Sequence, residues 1–369
     1  MSSGPATGAR APASDVIVIG DGVIGLSVAL EFGRRGATCR VLGASRPGSA
    51  SGAAAGLLTP STGRLSASVR PFYYGSLARF PAYVAALQEF DRELRLLEGL
   101  IEVTDTPEQR FAPPHAAPVA LSPSEVAELE PSLGARAAVL HPRDGAIDNV
   151  RLLAALRVAA RNQSGVAVAD RPARRISWSR TGAEVQTEAG DQFSAATVVL
   201  AAGAWSGAIE GLPRALPVVP LKGQMVALRA SPLSRPVMGA GVYLVPRGRE
   251  TAVGATTERA GFDIATDSRA VATLRAAAID LCPPLADAPL DRAWAGLRPA
   301  TPDMLPILGP DPDQPGLVYA CGHSKNGILL APATAELIAC LVTGEPTDLE
   351  NHQFGIDRFA AEPAATDTL

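Results

Sequence analysis

The chain has 369 residues, with 33 Lys+Arg against 37 Asp+Glu and a formal charge of −4. That balance leaves no excess cation for a nucleic-acid backbone, and a hydrophobic content of 47% lies far above the disordered regime. The length asks for one large or two intertwined domains, and four widely separated cysteines (Cys39, Cys282, Cys321, Cys340) read as buried hydrophobes rather than a disulfide or zinc framework.

Residues 1–13 are small and rich in Pro and Gly, lack the apolar core of a signal peptide, and read as a disordered tail on a cytoplasmic protein. Asp15–Ile19 is a β-branched strand that ends in Gly20-Asp-Gly-Val-Ile-Gly25. Leu26, Ala29, Leu30 and Phe32 then recur at helical spacing up to Gly36, and Cys39–Leu42 reads as a second strand. Residues 43–63 are a Gly/Ala/Ser loop. A helical pattern covers 74–98 through Leu77, Phe80, Val84, Leu87, Leu94 and Leu97. Strands broken by prolines follow over 101–120. Ser122-Pro-Ser-Glu125 has the Ser, Pro and Glu of a helix start.

A helix is expected at 149–162 and alternating strands over 166–200. Further strands are expected at 223–229, 241–246, 251–255 and 290–297, with a helix at 268–281. Strand 316–320, a glycine-flanked turn at 322–327 and a helix over 327–342 close the pattern. Asp21 interrupts the first apolar run, and Pro332 and Glu336 the last, so no membrane-spanning helix is expected. A βα pattern that opens the chain and returns at its end points to a nucleotide domain interrupted by an α+β domain.

Gly20, Gly22 and Gly25 sit between strand and helix, where glycines permit a tight turn, backbone approach to a pyrophosphate, and close helix packing. The alternative is a βα turn without a ligand. The acid that ordinarily ends the second strand and binds a ribose is absent, because Gly43 stands there. Asp21 adds a carboxylate that repels a pyrophosphate unless it points away. Ser51–Leu58 lets a flat ring lie close to backbone, or is a flexible linker. Arg298 lies in an apolar strand beside prolines, and its planar fork suits a substrate carboxylate or an internal salt bridge. The 322–327 turn before the last helix makes an anion site, and Lys325, one of only two lysines with Lys222, adds a charge there. His115, His141 and His352 lie in separate segments and read as surface or structural residues; no metal centre is expected.

Seven stretches together resemble the D-amino-acid-oxidase-type family of flavoenzymes, most closely its glycine oxidases of thiamine biosynthesis. They are Val16–Leu30, Ala53–Leu58, Gly203–Ser206, Tyr243–Arg247, Val253–Thr256, Trp294–Asp303 and Gly322–Thr334. The resemblance implies an α/β fold: a Rossmann-type, glutathione-reductase-like FAD domain interleaved with an α+β substrate domain holding a mixed antiparallel sheet. The FAD domain is expected to take 14–70, 146–215 and 295–350, and the substrate domain 71–145 and 216–294, with 351–369 as a tail.

The resemblance also implies non-covalent FAD. Gly20, Gly22, Val23, Ile24 and Gly25 then hold its pyrophosphate. Gly43 and Ala44 follow the second strand, and Ala50, Ser51, Ala55, Gly56 and Leu57 run past the flavin. Ala173 offers backbone to the adenine, Gly203 lies in a further contact loop, and His323, Ser324, Asn326, Gly327, Ile328 and Leu329 cradle the flavin's pyrimidine end. Arg298 grips a substrate carboxylate, helped by Tyr243, with Lys325 where the family's glycine oxidases often carry arginine. Gly241 and Thr257 stand where larger side chains can line the pocket.

The implied activity is oxidative deamination of glycine or another small amino acid or amine. A hydride passes to flavin N5, the imine hydrolyses to a 2-oxo acid and ammonia, and O2 becomes hydrogen peroxide. A homo-oligomer is expected, with no nucleic-acid or membrane partner. The competing readings are a D-amino-acid or secondary-amine dehydrogenase using a quinone, a nicotinamide-dependent dehydrogenase, and a non-catalytic flavin-binding module.

Overall fold

The computed structural model describes residues 14–62, 65–104, 117–134 and 136–359. The expected tail over 1–13 and His115 lie outside these residues. In chain order the elements are β1 (Ser14–Ile19), α1 (Val23–Arg34), β2 (Cys39–Gly43), α2 (Ala50–Ala53), β3 (Leu57–Leu58), α3 (Arg70–Leu87), β4 (Leu96–Val103), β5 (Val119–Leu121), α4 (Pro123–Leu129), β6 (Ala138–Ile147) and α5 (Asn149–Asn162). Then come β7 (Val166–Asp170), β8 (Ala173–Ser179), β9 (Gly182–Thr187), β10 (Gln192–Leu200), β11 (Val219–Leu228), β12 (Val237–Gly239), β13 (Val242–Arg247), β14 (Glu250–Gly254), α6 (Ser268–Leu281), β15 (Leu290–Ala300), β16 (Ile307–Pro310), β17 (Leu317–Cys321) and α7 (Gly327–Thr343).

The first sheet runs β16-β17-β10-β1-β2-β7. Strands β17, β10, β1, β2 and β7 are parallel, and the β8–β9 hairpin joins it through β10. The continuous apolar run of β1 follows from burial on both faces. Val16 and Val18 pack with α1, α3, α5 and α7, while Ile17 and Ile19 pack with Leu42, Leu200, Val185 and Tyr319 on the other side. Strand order reverses beside β1, the switch point where open α/β sheets bind ligands.

The second sheet runs β15-β11-β14-β13-β12-β4-β6-β3 and is antiparallel except where β12 meets β4. Helix α6 covers one face, burying Leu274, Ala278 and Leu281 with Val226, Leu244 and Val253. The two sheets are stitched beside the small-residue loop. Leu297 N–H donates to Gly48 O at 2.8 Å, Trp294 Nε1 to Ala53 O at 2.9 Å, and an Arg247 Nη to Ala54 O at 2.7 Å.

Several elements differ from expectation. The helix expected over 74–98 stops at Leu87, and Leu96–Val103 is a strand. Asp91 ends it: its carboxylate accepts from Glu93 N–H at 3.0 Å, and Gln88 Nε2 donates to Leu94 O at 2.8 Å. Leu94 still packs in the same core as α3, which is why the helical spacing ran on past the turn. The α4 start has its capping box, Ser122 with Glu125.

The sheet boundaries also differ from the segments expected. Phe72, Tyr73, Leu77 and Phe80 of α3 belong to the core of the first sheet, whereas β3 and the whole of β15 belong to the second. Residues 351–359, expected as tail, form two short 3-10 turns that bury Phe354 and Ile356, with Phe354 edge-on to Phe72 at 4.9 Å between ring centroids. No helix among the described residues is long and apolar enough to cross a membrane.

Candidate functional site

A cavity of about 750 Å3 lies between the two sheets, a size ordinary for a cofactor site. One wall is the carboxyl ends of β1, β2 and β10 with the turns that follow them. The other is the face of the second sheet presented by β11, β13 and β15.

The glycine turn lines the cavity through Gly20, Gly22, Val23 and Ile24. Gly20 has φ +118, in the region that favours glycine. Helix α1 begins here with no acidic residue in its first turn, and Val23 N–H donates to Ser51 Oγ at 3.0 Å. Helix α7 likewise begins at the cavity, through Asn326, Gly327 and Ile328, with no acidic residue in its first turn. Two helix N-termini therefore turn positive ends toward one space, which suits an anionic ligand. Asp21 does not oppose them. Its Oδ1 accepts from Ala44 N–H at 3.2 Å and its Oδ2 from Arg157 Nη at 2.6 Å, so it is directed toward β2 and paired.

The small-residue loop is not a slack linker. Ala50–Ala53 forms α2, and Asn149 Nδ2 donates to Ser51 O at 2.7 Å and Gly52 O at 3.1 Å. Ala44, Ala50, Ser51, Ala55, Gly56, Leu57, Ala173 and Gly203 all line the cavity, as do His323, Ser324 and Lys325. Lys325 is exposed. His323 is buried, with Nε2 3.1 Å from Thr334 Oγ1, and burial pushes its imidazole down to about 3, so it is neutral.

Three expected contacts do not line the cavity. Gly25 lies behind the turn, where a Cβ would meet Gly20 O at 1.9 Å, so it serves helix–strand packing. Gly43 faces Asp21, and Leu329 is buried in the helical core.

On the second sheet the two-residue period brings Leu221, Gly223 and Met225 of β11, and Gly296 and Arg298 of β15, to the cavity. Gly223 pairs with Gly296, and Leu221 with Arg298. The Arg298 head lies over Gly223, where a Cβ would fall 2.4 Å from Nη2. Its Nη1 donates to Thr256 O at 3.1 Å and Lys222 O at 3.4 Å. Tyr243 pairs with Gly254, and its ring crosses that glycine so that the hydroxyl reaches Met225 Sδ at 3.8 Å. Arg298 stands beside that hydroxyl; burial still pushes the phenol upward, so it is neutral.

Two side-chain-free positions thus let the sheet lay an arginine and a tyrosine side by side on the cavity wall. Arg298 makes no ion pair with a carboxylate among the described residues, which removes the internal salt bridge as its explanation. Lys222, by contrast, is buried and paired with Asp263 at 2.9 Å.

Gly241 and Thr257 line the cavity too. Arg157, Tyr73 and Met225 also line it but carried no motif, and so does Trp205 of the Gly203–Ser206 stretch. They come from elements distant in sequence, so only the fold brings them in. His141 pairs with Glu102 at 2.9 Å and His352 is exposed. No cluster of His, Cys, Asp and Glu among the described residues could hold a metal.

A family model for FAD-dependent oxidoreductases, DAO, matches residues 15–341. The chain is 35% identical over 367 residues to the glycine oxidase of Geobacillus kaustophilus, covering 93% of this chain and 97% of that one. A crystal structure of glycine oxidase from that organism superimposes with a TM-score of 0.85 at 30% identity, over 96% of this chain and all of the other. The chain is also 34% identical to the bifunctional protein ThiO/ThiG of Trichormus variabilis, over 95% of this chain and 56% of that protein. It spans about half the length of the bifunctional relatives it matches. The paired helix N-termini, the compensated Asp21 and the volume between the sheets fit the dinucleotide that the family carries. The chain belongs to the DAO family of FAD-dependent oxidoreductases, and FAD is its cofactor.

Proposed function

We propose that this chain oxidises glycine or another small amino acid or amine. The net reaction converts amino acid, water and O2 into a 2-oxo acid, ammonia and hydrogen peroxide. When bound, FAD supplies the two-electron acceptor for a hydride from the substrate α-carbon. The observation that carries the reading is Arg298: half-buried, on the cavity wall, anchored by two carbonyls and without a carboxylate partner among the described residues. Such a guanidinium attracts a carboxylate from the ligand.

Tyr243 adds a neutral hydroxyl beside it that donates to the same carboxylate. Fixing one end of a small amino acid in this way orients its α-carbon within the cavity. The substrate amine must be neutral before it can release a hydride, so activity should rise with pH. The helix N-termini of α1 and α7 hold negative charge on their side of the cavity, and Lys325 in the turn before α7 adds a side-chain cation to it. His323 stays neutral and leaves that balance unchanged.

The open positions at Gly241 and Thr257 support substrates somewhat larger than glycine. Similarity to glycine oxidases and to ThiO/ThiG proteins supports a role in making the thiazole of thiamine.

The test is the purified protein's visible spectrum followed by Arg298→Ala. The spectrum should show flavin bands, and KM for the preferred amino acid should rise at least about tenfold, since a hydrogen bond to a charged group contributes about 1.5–3 kcal/mol. An unchanged KM refutes the role given to Arg298.

A further inference from the structure

In a dinucleotide fold the acid that holds the adenosine ribose stands at the end of the second strand. Here that place is Gly43, the last residue of β2. Its backbone is not among those with left-handed φ, so no conformational demand selects glycine there. The reason lies in what fills the space. A Cβ at Gly43 would fall 2.6 Å from Asp21 Cγ, 2.8 Å from its Oδ2 and 2.9 Å from its Cβ. The Asp21 carboxyl group therefore occupies the volume that a side chain on residue 43 takes in the ordinary arrangement.

Its surroundings fix it there. Oδ1 accepts from Ala44 N–H at 3.2 Å, and Oδ2 from Arg157 Nη at 2.6 Å. Asp21, Ala44 and Arg157 all line the cavity. Each carboxylate oxygen carries two lone pairs, so one on each remains for a hydroxyl donor.

We propose that Asp21 is the ribose-binding acid of this chain, reaching from the glycine turn into the place that Gly43 leaves open, with Arg157 balancing its charge. The ion pair answers the objection to a carboxylate in this turn. An unpaired negative charge next to a pyrophosphate raises the cost of binding it, and a guanidinium in direct contact offsets that repulsion. The acid and the glycine thus form a reciprocal pair: a carboxylate at one position requires the absence of a side chain at the other. The proposal rests on FAD as the cofactor, and its failure is separable from a failure of that reading.

The experiment uses the apoprotein of the full chain, titrated with FAD and with FAD whose adenosine ribose lacks the 2′-hydroxyl, and read by quenching of flavin fluorescence. The unaltered protein should bind the deoxy analogue at least about tenfold more weakly, as expected for loss of a hydrogen bond to a charged acceptor. Asp21→Asn should bring the two dissociation constants within threefold of each other. Gly43→Glu alone should bind FAD poorly, because its side chain collides with Asp21, whereas the exchange Asp21→Gly with Gly43→Glu should restore the discrimination. Equal binding of the two flavins by the unaltered protein overturns the proposal while leaving FAD as cofactor. Undiminished discrimination in Asp21→Asn overturns it as well. Absence of any FAD binding removes the cofactor, and the proposal with it.

Discussion

Gly223→Ala probes the arrangement of the candidate site without touching a polar group. An added Cβ would stand 2.4 Å from Arg298 Nη2 and 2.5 Å from both Cζ and Nη1. Ordinary contact begins near 3.4 Å, so the guanidinium must retreat by about 1 Å. The obstacle is the far end of a flexible side chain, not backbone. The strand pairing of β11 with β15 can therefore persist, and thermal stability should change little. The arginine head, however, loses its seat against Thr256 O and Lys222 O. A misplaced fork forfeits part of a charged hydrogen-bond pair, which is worth about 1.5–3 kcal/mol, or roughly a 10- to 100-fold rise in KM. A displacement of that size can also slow turnover by up to about 100-fold.

The assay is anaerobic flavin bleaching by stopped flow across substrate concentration, which separates binding from reduction. It should be repeated in Arg298→Ala and in the double variant. Because the alanine acts only through Arg298, the double variant should match Arg298→Ala within about twofold. A Gly223→Ala protein with unaltered KM, or effects that add, refutes the reasoning.

Three further outcomes are expected. Tyr243→Phe should raise KM by roughly 10- to 100-fold, since the lost hydrogen bond is to a charged carboxylate and worth about 1.5–3 kcal/mol, yet leave the acid limb of the pH–rate profile in place, because the substrate amine titrates there; loss of that limb would make Tyr243 the titrating group. His323 is held at about 3 against an ordinary 6.5, so its contribution to stability is complete above pH 6.5 and lost as the pH falls toward 3. Urea unfolding of His323→Gln should then lose about 2 kcal/mol less than the parent between pH 7 and pH 5, and equal losses would contradict the assignment. Among the described residues Cys321 is the cysteine on the cavity wall, and burial pushes its thiol up to about 12, so it is a poor nucleophile. Acid precipitation should release the flavin into solution; flavin retained in the pellet would show a covalent link.

The parts of the fold that were legible in the sequence are those where one period serves one environment. The β1 run is apolar on every residue because both faces are buried, and α6 is bounded as its spacing predicts, over Ser268–Leu281. The 74–98 pattern misled because Leu94 joins the core of α3 from beyond the helix end, so burial continued after helical geometry stopped.

At the site, Arg298 and Tyr243 were legible through their motifs, but their juxtaposition was not. It depends on Gly223 and Gly254, whose lack of a side chain matters only once β11, β13, β14 and β15 are in register. Asp21 carried a mixed signal for the same reason. In the sequence it is an unwelcome charge beside a pyrophosphate turn; in the fold it is bound to Arg157, which lies on α5 and far along the chain. Lys325 was singled out by its place in the glycine-flanked turn, and it is exposed on the cavity, whereas Lys222 is locked in an internal ion pair.

The central claim is that this cavity oxidises a small amino acid. Its most direct test is to mix the flavin-loaded protein with glycine, sarcosine, D-alanine and D-proline under nitrogen, follow the visible absorbance, and then admit air. The expected result is bleaching by at least one of them, followed by return of the oxidised spectrum with one peroxide formed per flavin reduced. A flavin that none of the four bleaches would contradict the claim.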